Sequence, residues 1–363
     1  MNRSIEFLVV GGGLIGLLTA KLLHQSGVDV ALVEKGEIGR ESSWAGGGII
    51  SPLYPWRYPD AVTQLALWGQ RRYPKLCDQL ASETGIDPEW TQSGLLMPNL
   101  SEKEIKVALE WAERYGYPMA QLNSEQIGDI EPHLSHFSSA LWMESVAQIR
   151  NPRLVQSLKR SLELSGVPLI EGFEVDRIVE SNGRVSGVEA GGVLVSAQHV
   201  IVCGGAWSGE ILKRAGVELS ISPVKGQMLL LKSEPDLLKR ITLLEGHYLI
   251  PRRDGRVLIG STLEHDGFNK ETTDNAKEEL LAAMEELAPE LNRFEVEMQW
   301  SGLRPGSSNQ GIPFIGSCGP DGLFINSGHF RNGVVLGYAS AQLLVDMALG
   351  HEPIINPAPY LAD

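Results

Sequence analysis

Cysteine is nearly absent: the chain has three in 363 residues, Cys77, Cys203 and Cys318, and no two stand in a C-x-x-C spacing. That scarcity excludes a disulfide framework and a cysteine-held zinc site, and it fits a reducing compartment. Each thiol is expected to be a small buried apolar group. Positive charge is also short, with 31 Lys and Arg against 45 Asp and Glu and a net charge of −14. Nucleic acid or an anionic membrane is therefore excluded as the main partner, since both need basic patches. Long apolar runs are missing as well. The N-terminal stretch "MNRSIEFLVVGGGLIGLLTAKLL" begins like a signal peptide, but three glycines split it and no small-residue cleavage site closes it. No other segment approaches the roughly 18 apolar residues of a membrane span. The expectation is a cytoplasmic chain with no metal site, its eight histidines being scattered. The oligomeric state is left open, a homo-oligomer included.

Glycine, by contrast, is abundant, at 40 residues. The first fifty residues show why. "IEFLVV" reads as a strand, "GGGLIG" as a turn, "LLTAKLLHQSG" as a helix closed by Gly27, and "VDVALVEKG" as a second strand. Gly11, Gly13 and Gly16 form G-x-G-x-x-G between strand and helix, and Glu34 ends the second strand about twenty residues later. The chemistry requires these types. Gly11 makes the tight turn, Gly13 admits a pyrophosphate to the backbone, Gly16 allows close helix–strand packing, and Glu34 accepts from ribose hydroxyls. The loop "GEIGRESSWAGGGIIS" then places Ser42 and Ser43 before three glycines, where an ordinary NAD domain would enter a crossover helix. Backbone N–H groups there suit a second bound moiety, which points to FAD.

Further along, residues 59–85 and 101–115 have amphipathic helical spacing, with Leu65, Trp68, Tyr73, Leu76 and Leu80 on one face of the first. "NPRLVQSLKRSLELSGV" predicts a helix over 151–167, started by an asparagine cap with proline in its first turn. Turn signals at Asn182-Gly183 and Gly191-Gly192 predict a small hairpin unit that returns through "HVIVCGG" to the nucleotide fold. From 223 to 315 long alternating segments predict an antiparallel sheet interrupted by a helix over 272–288, with a hairpin turn at Arg253-Asp254-Gly255. Near the end, a turn at 328–333 precedes a helix from about Val334.

One stretch is unusual for its charge. "SGLRPGSSNQGIPFIG" (301–316) carries a single guanidinium, Arg304, and no acid. An internal salt bridge, capped carbonyls or a ligand's carboxylate would each satisfy it. Arg252 and Arg253, beside a hairpin turn, are expected to be solvated.

Together, "VVGGGLIG", "VEKGEIGRESSWAGG", "VIVCGGAWS", "PVKGQ", "YLIPRRDGRVLIGST", "WSGLRPGSSNQGIPFIG" and "GHFRNGVVLG" resemble the FAD-dependent D-amino-acid oxidase superfamily, and within it the glycine oxidase branch associated with thiamine biosynthesis. The resemblance spans nearly the whole chain. It implies an α/β fold in which a Rossmann-type FAD-binding domain (1–50, 151–215 and 316–363, with part of 59–85 packed on it) is interleaved with an antiparallel-sheet α+β substrate domain (51–150 and 216–315). It implies non-covalent FAD, with Cys318 in a "GSCGP" context that does not match an attachment motif. Cofactor contacts are implied for Leu14, Ile15, Lys35, Gly47, Gly48 and Ile49, and for the backbone of Val175. In the C-terminal turn they are implied for His329, Phe330, Arg331, Asn332, Gly333, Val334 and Val335.

The resemblance assigns the substrate carboxylate to Arg304, with Arg331 beside substrate and flavin and a hydroxyl from Tyr248. An arginine fork suits a carboxylate because two parallel N–H bonds fix orientation as well as position. The implied reaction is oxidation of glycine, sarcosine or a small D-amino acid by hydride transfer from Cα. The imine hydrolyses to oxo acid and ammonia or enters thiazole synthesis, and oxygen becomes hydrogen peroxide. No dedicated base is required, and His329 is expected to be scaffold. The chain departs from the branch at Ile49. The neighbouring "SPLYPWRYP" supplies a lid or wall, so the choice among glycine, sarcosine and larger D-amino acids stays open. Two alternatives also remain: a dehydrogenase that passes electrons to a quinone, and a non-catalytic dinucleotide-binding protein.

Overall fold

The Ile5–Val10 strand is apolar throughout its last four residues and buried on both faces, as a central parallel strand should be. It pairs in parallel with Val30–Val33 on one side and Val193–Val202 on the other. The computed structural model describes residues 5–362, so residues 1–4 and 363 of the expected ranges lie outside the described residues. Leu169–Ile170 extends this sheet at one edge, and Leu323–Ser327 and Phe314–Ser317 extend it at the other. Only the last of these runs antiparallel along that path. The hairpin Arg177–Ser181 and Arg184–Ala190 joins through Val193–Val202. Its turns fall at Asn182-Gly183 and Gly191-Gly192, all four with positive φ.

One face of the sheet is covered by the helices Leu14–Gln25, Asn151–Leu164 and Gly333–Ala348, together with a segment from the first quarter of the chain. That segment, read in the sequence as one helix over 59–85, is two: Asp60–Gln70 and Tyr73–Thr84. Pro74 explains the break, because it offers no N–H to Gln70 and its ring crowds that carbonyl. Leu65, Tyr73, Leu76 and Leu80 are buried in this layer as the spacing required, and Trp68 packs partly buried against it. Each such apolar side chain contributes roughly 1.5–3 kcal/mol of transfer free energy.

The second sheet has eight strands, in the order Val296–Ser307, Ile221–Lys232, Arg256–Gly260, His247–Pro251, Ile241–Leu244, Leu95–Pro98, Ser139–Met143 and Ala120–Asn123. All pairings are antiparallel except that of Ile241–Leu244 with Leu95–Pro98. The helix Asp274–Leu287 closes one face, its Thr273 cap accepting from Ala276 N at 3.3 Å. The opposite face holds Met228 and Tyr248 in a cluster with Ile49, Leu53 and Tyr54, from the segment that follows the glycine loop. That contact sets the second sheet over the ends of the first. All three cysteines are buried, and burial pushes each thiol up to about 12.

Candidate active site

The glycine turn is held by backbone contacts that leave no room for side chains. Gly11 has φ +114, and a Cβ there would meet Cys203 O at 2.4 Å. A Cβ on Gly16 would sit 1.9 Å from Gly11 O, so the helix can approach the strand only without one. Gly13 is the N-cap of the Leu14–Gln25 helix and supplies no side chain, but the Ser43 hydroxyl accepts from Leu14 N at 2.8 Å. The serine loop is thereby fixed over the helix N-terminus. Glu34 lies beside the turn, its Oε2 accepting from Gly12 N at 2.7 Å and its Oε1 from Gly36 N at 3.0 Å. Lys35 reaches across to Trp207, its Nζ 3.3 Å from the ring centroid.

From this turn a cleft runs between the two sheets, lined by Val10, Val33 and Ser327 of the first and by Met228, Tyr248 and Arg304 of the second. The expected residues Gly11, Gly13, Leu14, Ile15, Glu34, Lys35, Ser42, Ser43, Gly47, Gly48, Ile49 and Val175 line it. So do His329, Phe330, Arg331, Gly333 and Val334, with Tyr248 and Arg304 from the second sheet. Three expected residues stand behind the lining. Gly16 packs under the turn, Val335 is in the core, and Asn332 is buried with its Nδ2 unpartnered.

At the far end the charge is cationic. Arg304 Nη1 donates to Lys225 O at 3.3 Å and Thr262 O at 3.1 Å, and Nη2 donates to Ser261 Oγ at 2.8 Å. No carboxylate pairs with it among the described residues; of the options left open, capping of carbonyls is present and an internal salt bridge is not. Burial, with Arg331 adding repulsion, lowers its pKa to about 10, which leaves the guanidinium charged at neutral pH. Arg331 donates to Gly246 O at 3.1 Å. The Tyr248 hydroxyl lies 3.4 Å from Met228 Sδ. His329 is buried with Nε2 2.9 Å from Ser340 Oγ, and desolvation drops its pKa to about 3, so it is a neutral scaffold group. The acids lining the cleft are Glu34, Glu41, Glu174 and Glu210, none of them bonded to Arg304, Tyr248 or Arg331.

The loop at 52–58 borders the cleft through Leu53 alone. Leu53 lines both this cleft and a neighbouring cavity, which Tyr54, Arg57, Tyr58 and Arg331 also border. Tyr54 accepts from Gly246 N at 3.3 Å, and Arg57 lies over its ring while pairing with Glu104.

Two expectations are corrected. Arg252 is not solvated: it is half-buried, with Nη2 on Gly47 O at 2.8 Å and Nη1 on Gln148 Oε1 at 2.8 Å and Ile149 O at 3.2 Å. It therefore pins the glycine loop from beneath, and burial lowers its pKa to about 10. Arg253 remains half-exposed, paired with Asp87 at 2.8 Å. Asn151 is not a helix cap either. Arg150 occupies that place, and the Asn151 amide, buried with neither atom partnered, lies against Gly46 and Gly48.

Sequence reasoning missed Phe173, Trp207, Arg214 and Asn326, which also line the cleft. Arg214 donates to Val175 O at 3.1 Å. Asn326 sits in an apolar strand, 1% exposed, with both amide atoms lacking a protein partner. An amide in the middle of "LFINS" was the available signal. An unsatisfied buried amide facing the cleft costs about 1–3 kcal/mol unless a bound group or water meets it. With the backbone cradle at Gly11–Gly13 and the carboxylate of Glu34, this donor set fits an FAD. Glu34, Gly13 and Ser43 would hold its adenosine and pyrophosphate side, and the Gly333–Ala348 helix, whose cap gives no side-chain bond, its flavin side.

One consequence concerns Glu34. Glu34→Ala removes the charge-assisted acceptor and unpairs two backbone N–H groups, so FAD affinity should drop about 10- to 150-fold, the equivalent of roughly 1.5–3 kcal/mol. Titration of apoprotein with FAD checks this, and an unchanged Kd would refute the ribose role.

Comparison with known proteins gives a consistent picture. The family model described as FAD dependent oxidoreductase matches residues 6–347. The chain is 50% identical to a glycine oxidase of Pseudomonas aeruginosa over 360 residues, which cover 98% of each. It is 29% identical over 367 residues to the bifunctional protein ThiO/ThiG of Trichormus variabilis, covering 99% of this chain and 55% of that protein. The crystal structure of glycine oxidase from Geobacillus kaustophilus superposes with a TM-score of 0.94 at 27% identity, over 100% of this chain and 99% of that one.

Proposed function

Since the chain belongs to the FAD dependent oxidoreductase (DAO) family, we propose that it is an amino-acid oxidase acting on glycine and comparably small amines such as sarcosine. The observation that carries this reading is the Arg304 guanidinium, largely buried, facing the cleft and without a carboxylate partner among the described residues. A substrate α-carboxylate supplies the missing charge. Bound there in a bidentate pair, the amino acid is held by one end, and its Cα is directed along the cleft toward the flavin side.

FAD, when bound, supplies the acceptor for a hydride from Cα. The protein's share is positioning and electrostatics. Arg304 fixes the carboxylate, and the Tyr248 hydroxyl and Arg331 border the same space. Two guanidinium groups near the substrate favour the neutral form of its amine, and the lone pair of that form assists loss of the hydride. No side chain needs to accept a proton from Cα, which agrees with a neutral, buried His329 and with the absence, among the described residues, of a carboxylate bonded to these groups. The imine hydrolyses to an oxo acid and ammonia, and oxygen is reduced to hydrogen peroxide. Similarity to a ThiO/ThiG protein supports a supply of imine to thiazole assembly in thiamine synthesis.

An aerobic assay tests the oxidase assignment. Glycine should give peroxide, ammonia and glyoxylate in equal amounts. Turnover that needs an added quinone and yields no peroxide would replace the oxidase by a dehydrogenase.

A further inference from the structure

Lys225 is one of the most deeply buried charged side chains, 1% exposed in the Ile221–Lys232 strand, and the reaction proposed above makes no use of it. Its Nζ lies 3.0 Å from Glu264 Oε2 and 3.2 Å from Asp266 Oδ2, and donates to Glu271 O at 3.4 Å. The backbones of Lys225 and Glu264 also exchange hydrogen bonds, each N–H to the other's carbonyl at 2.9 Å. Glu264 passes the constraint on. Its Oε1 accepts from Thr262 Oγ1 and, at 3.0 Å, from Gln227 Nε2, while Gln227 N donates to Thr262 Oγ1 at 2.9 Å. The network ends on two carbonyls, Thr262 O and Lys225 O, and these are the two that hold Arg304 Nη1.

We propose that Lys225 is a positioning residue for Arg304: through Glu264 and Thr262 it fixes the two carbonyls that aim the guanidinium into the cleft. The inference rests on the reading that Arg304 receives the substrate carboxylate. Gly226 completes the seat, since a Cβ there would occupy the place of the guanidinium, 2.0 Å from Nη2. Electrostatics agree. Burial alone would lower the lysine's pKa, and the pairs with Glu264 and Asp266 overcome that and hold it above its ordinary value. Glu264 in turn favours the charged form of Arg304. A purely structural ion pair would behave differently, because a buried pair can often be replaced without changing anything but stability.

The test compares Lys225→Met, Lys225→Arg, Arg304→Ala and the Lys225→Met/Arg304→Ala double variant as holoenzymes. It measures KM for glycine, kcat, the inhibition constant of acetate, FAD content and Tm. For Lys225→Met, KM and the acetate constant should both rise on the order of 10-fold with a smaller change in kcat, the coupling expected of groups in one network. FAD content should be retained, Lys225→Arg should recover part of the loss, and the effect on acetate should vanish when Arg304 is already alanine. An altered Tm with unchanged acetate binding in Lys225→Met, while Arg304→Ala does weaken acetate, overturns the positioning role and leaves the carboxylate site intact. Unchanged acetate binding in Arg304→Ala itself overturns the underlying reading instead. Should Lys225→Met not fold, Glu264→Gln keeps the shape of the network and removes its charge. The same rise is expected there, and its absence counts against the proposal.

Discussion

Arg304→Ala should lower kcat/KM for glycine on the order of 30- to 5,000-fold, because loss of a buried charged partner costs about 2–5 kcal/mol. The geometry supports a large effect. The side chain already has its fixed hydrogen bonds to Lys225 O, Thr262 O and Ser261 Oγ, so it reaches the substrate without reorganising. Its removal takes away charge and orientation together. FAD content and Tm should change little, since none of its bonds runs to the glycine turn or the serine loop. Arg304→Lys should recover only part of the loss, an ammonium lacking the planar fork. Acetate and glycolate should inhibit the wild type and lose that ability in the alanine variant. Near-normal kcat/KM, or loss of activity only through shed FAD, would make Arg304 a scaffold residue and Arg331 the leading candidate for the carboxylate.

The sequence already showed why Arg304 stood out. It was the one charge in a glycine- and proline-rich stretch, and a lone guanidinium asks for an anion. The nucleotide half was legible for a related reason: strand, glycine turn, helix, strand and terminal acid are local, and each residue type has its own steric or hydrogen-bonding cause. What stayed hidden depends on contacts between distant segments. "YLIPRRDGR" looks solvated, yet strand pairing carries Arg252 under Gly47, more than two hundred residues away in sequence. Asn151 has the identity and place of a helix cap, but the close approach of Gly46 and Gly48 takes its side chain inward. Trp207 lay in plain view within "GGAWS". Its partners Lys35 and Phe268 come from different parts of the chain, and only the fold brings them together.

The second large effect is expected at Gly16. Gly16→Ala places a methyl 1.9 Å from Gly11 O, a backbone atom that no rotamer change can move. Overpacking costs about 1–3 kcal/mol where side chains can yield, and here the turn itself must shift. In a chain of this length Tm should fall by at least roughly 1–4 °C. FAD affinity should weaken about 10- to 1,000-fold, as one or two charge-assisted bonds from the displaced turn are lost. Gly128→Ala is the control, since its methyl would meet Ser135 Cβ at an ordinary 3.5 Å. Thermal melts and FAD titration of the two variants decide the matter. A Gly16→Ala protein that binds FAD as tightly as the control would show that the turn does not cradle the cofactor.

The most direct test of the central claim is anaerobic mixing of the purified, FAD-loaded wild type with glycine, followed by the yellow absorbance of the oxidised flavin. The claim predicts that the colour bleaches within turnover time, returns on admission of oxygen with release of peroxide, and that Arg304→Ala bleaches far more slowly at the same glycine concentration. A wild-type protein that holds FAD and keeps its colour under glycine and sarcosine alike would contradict it.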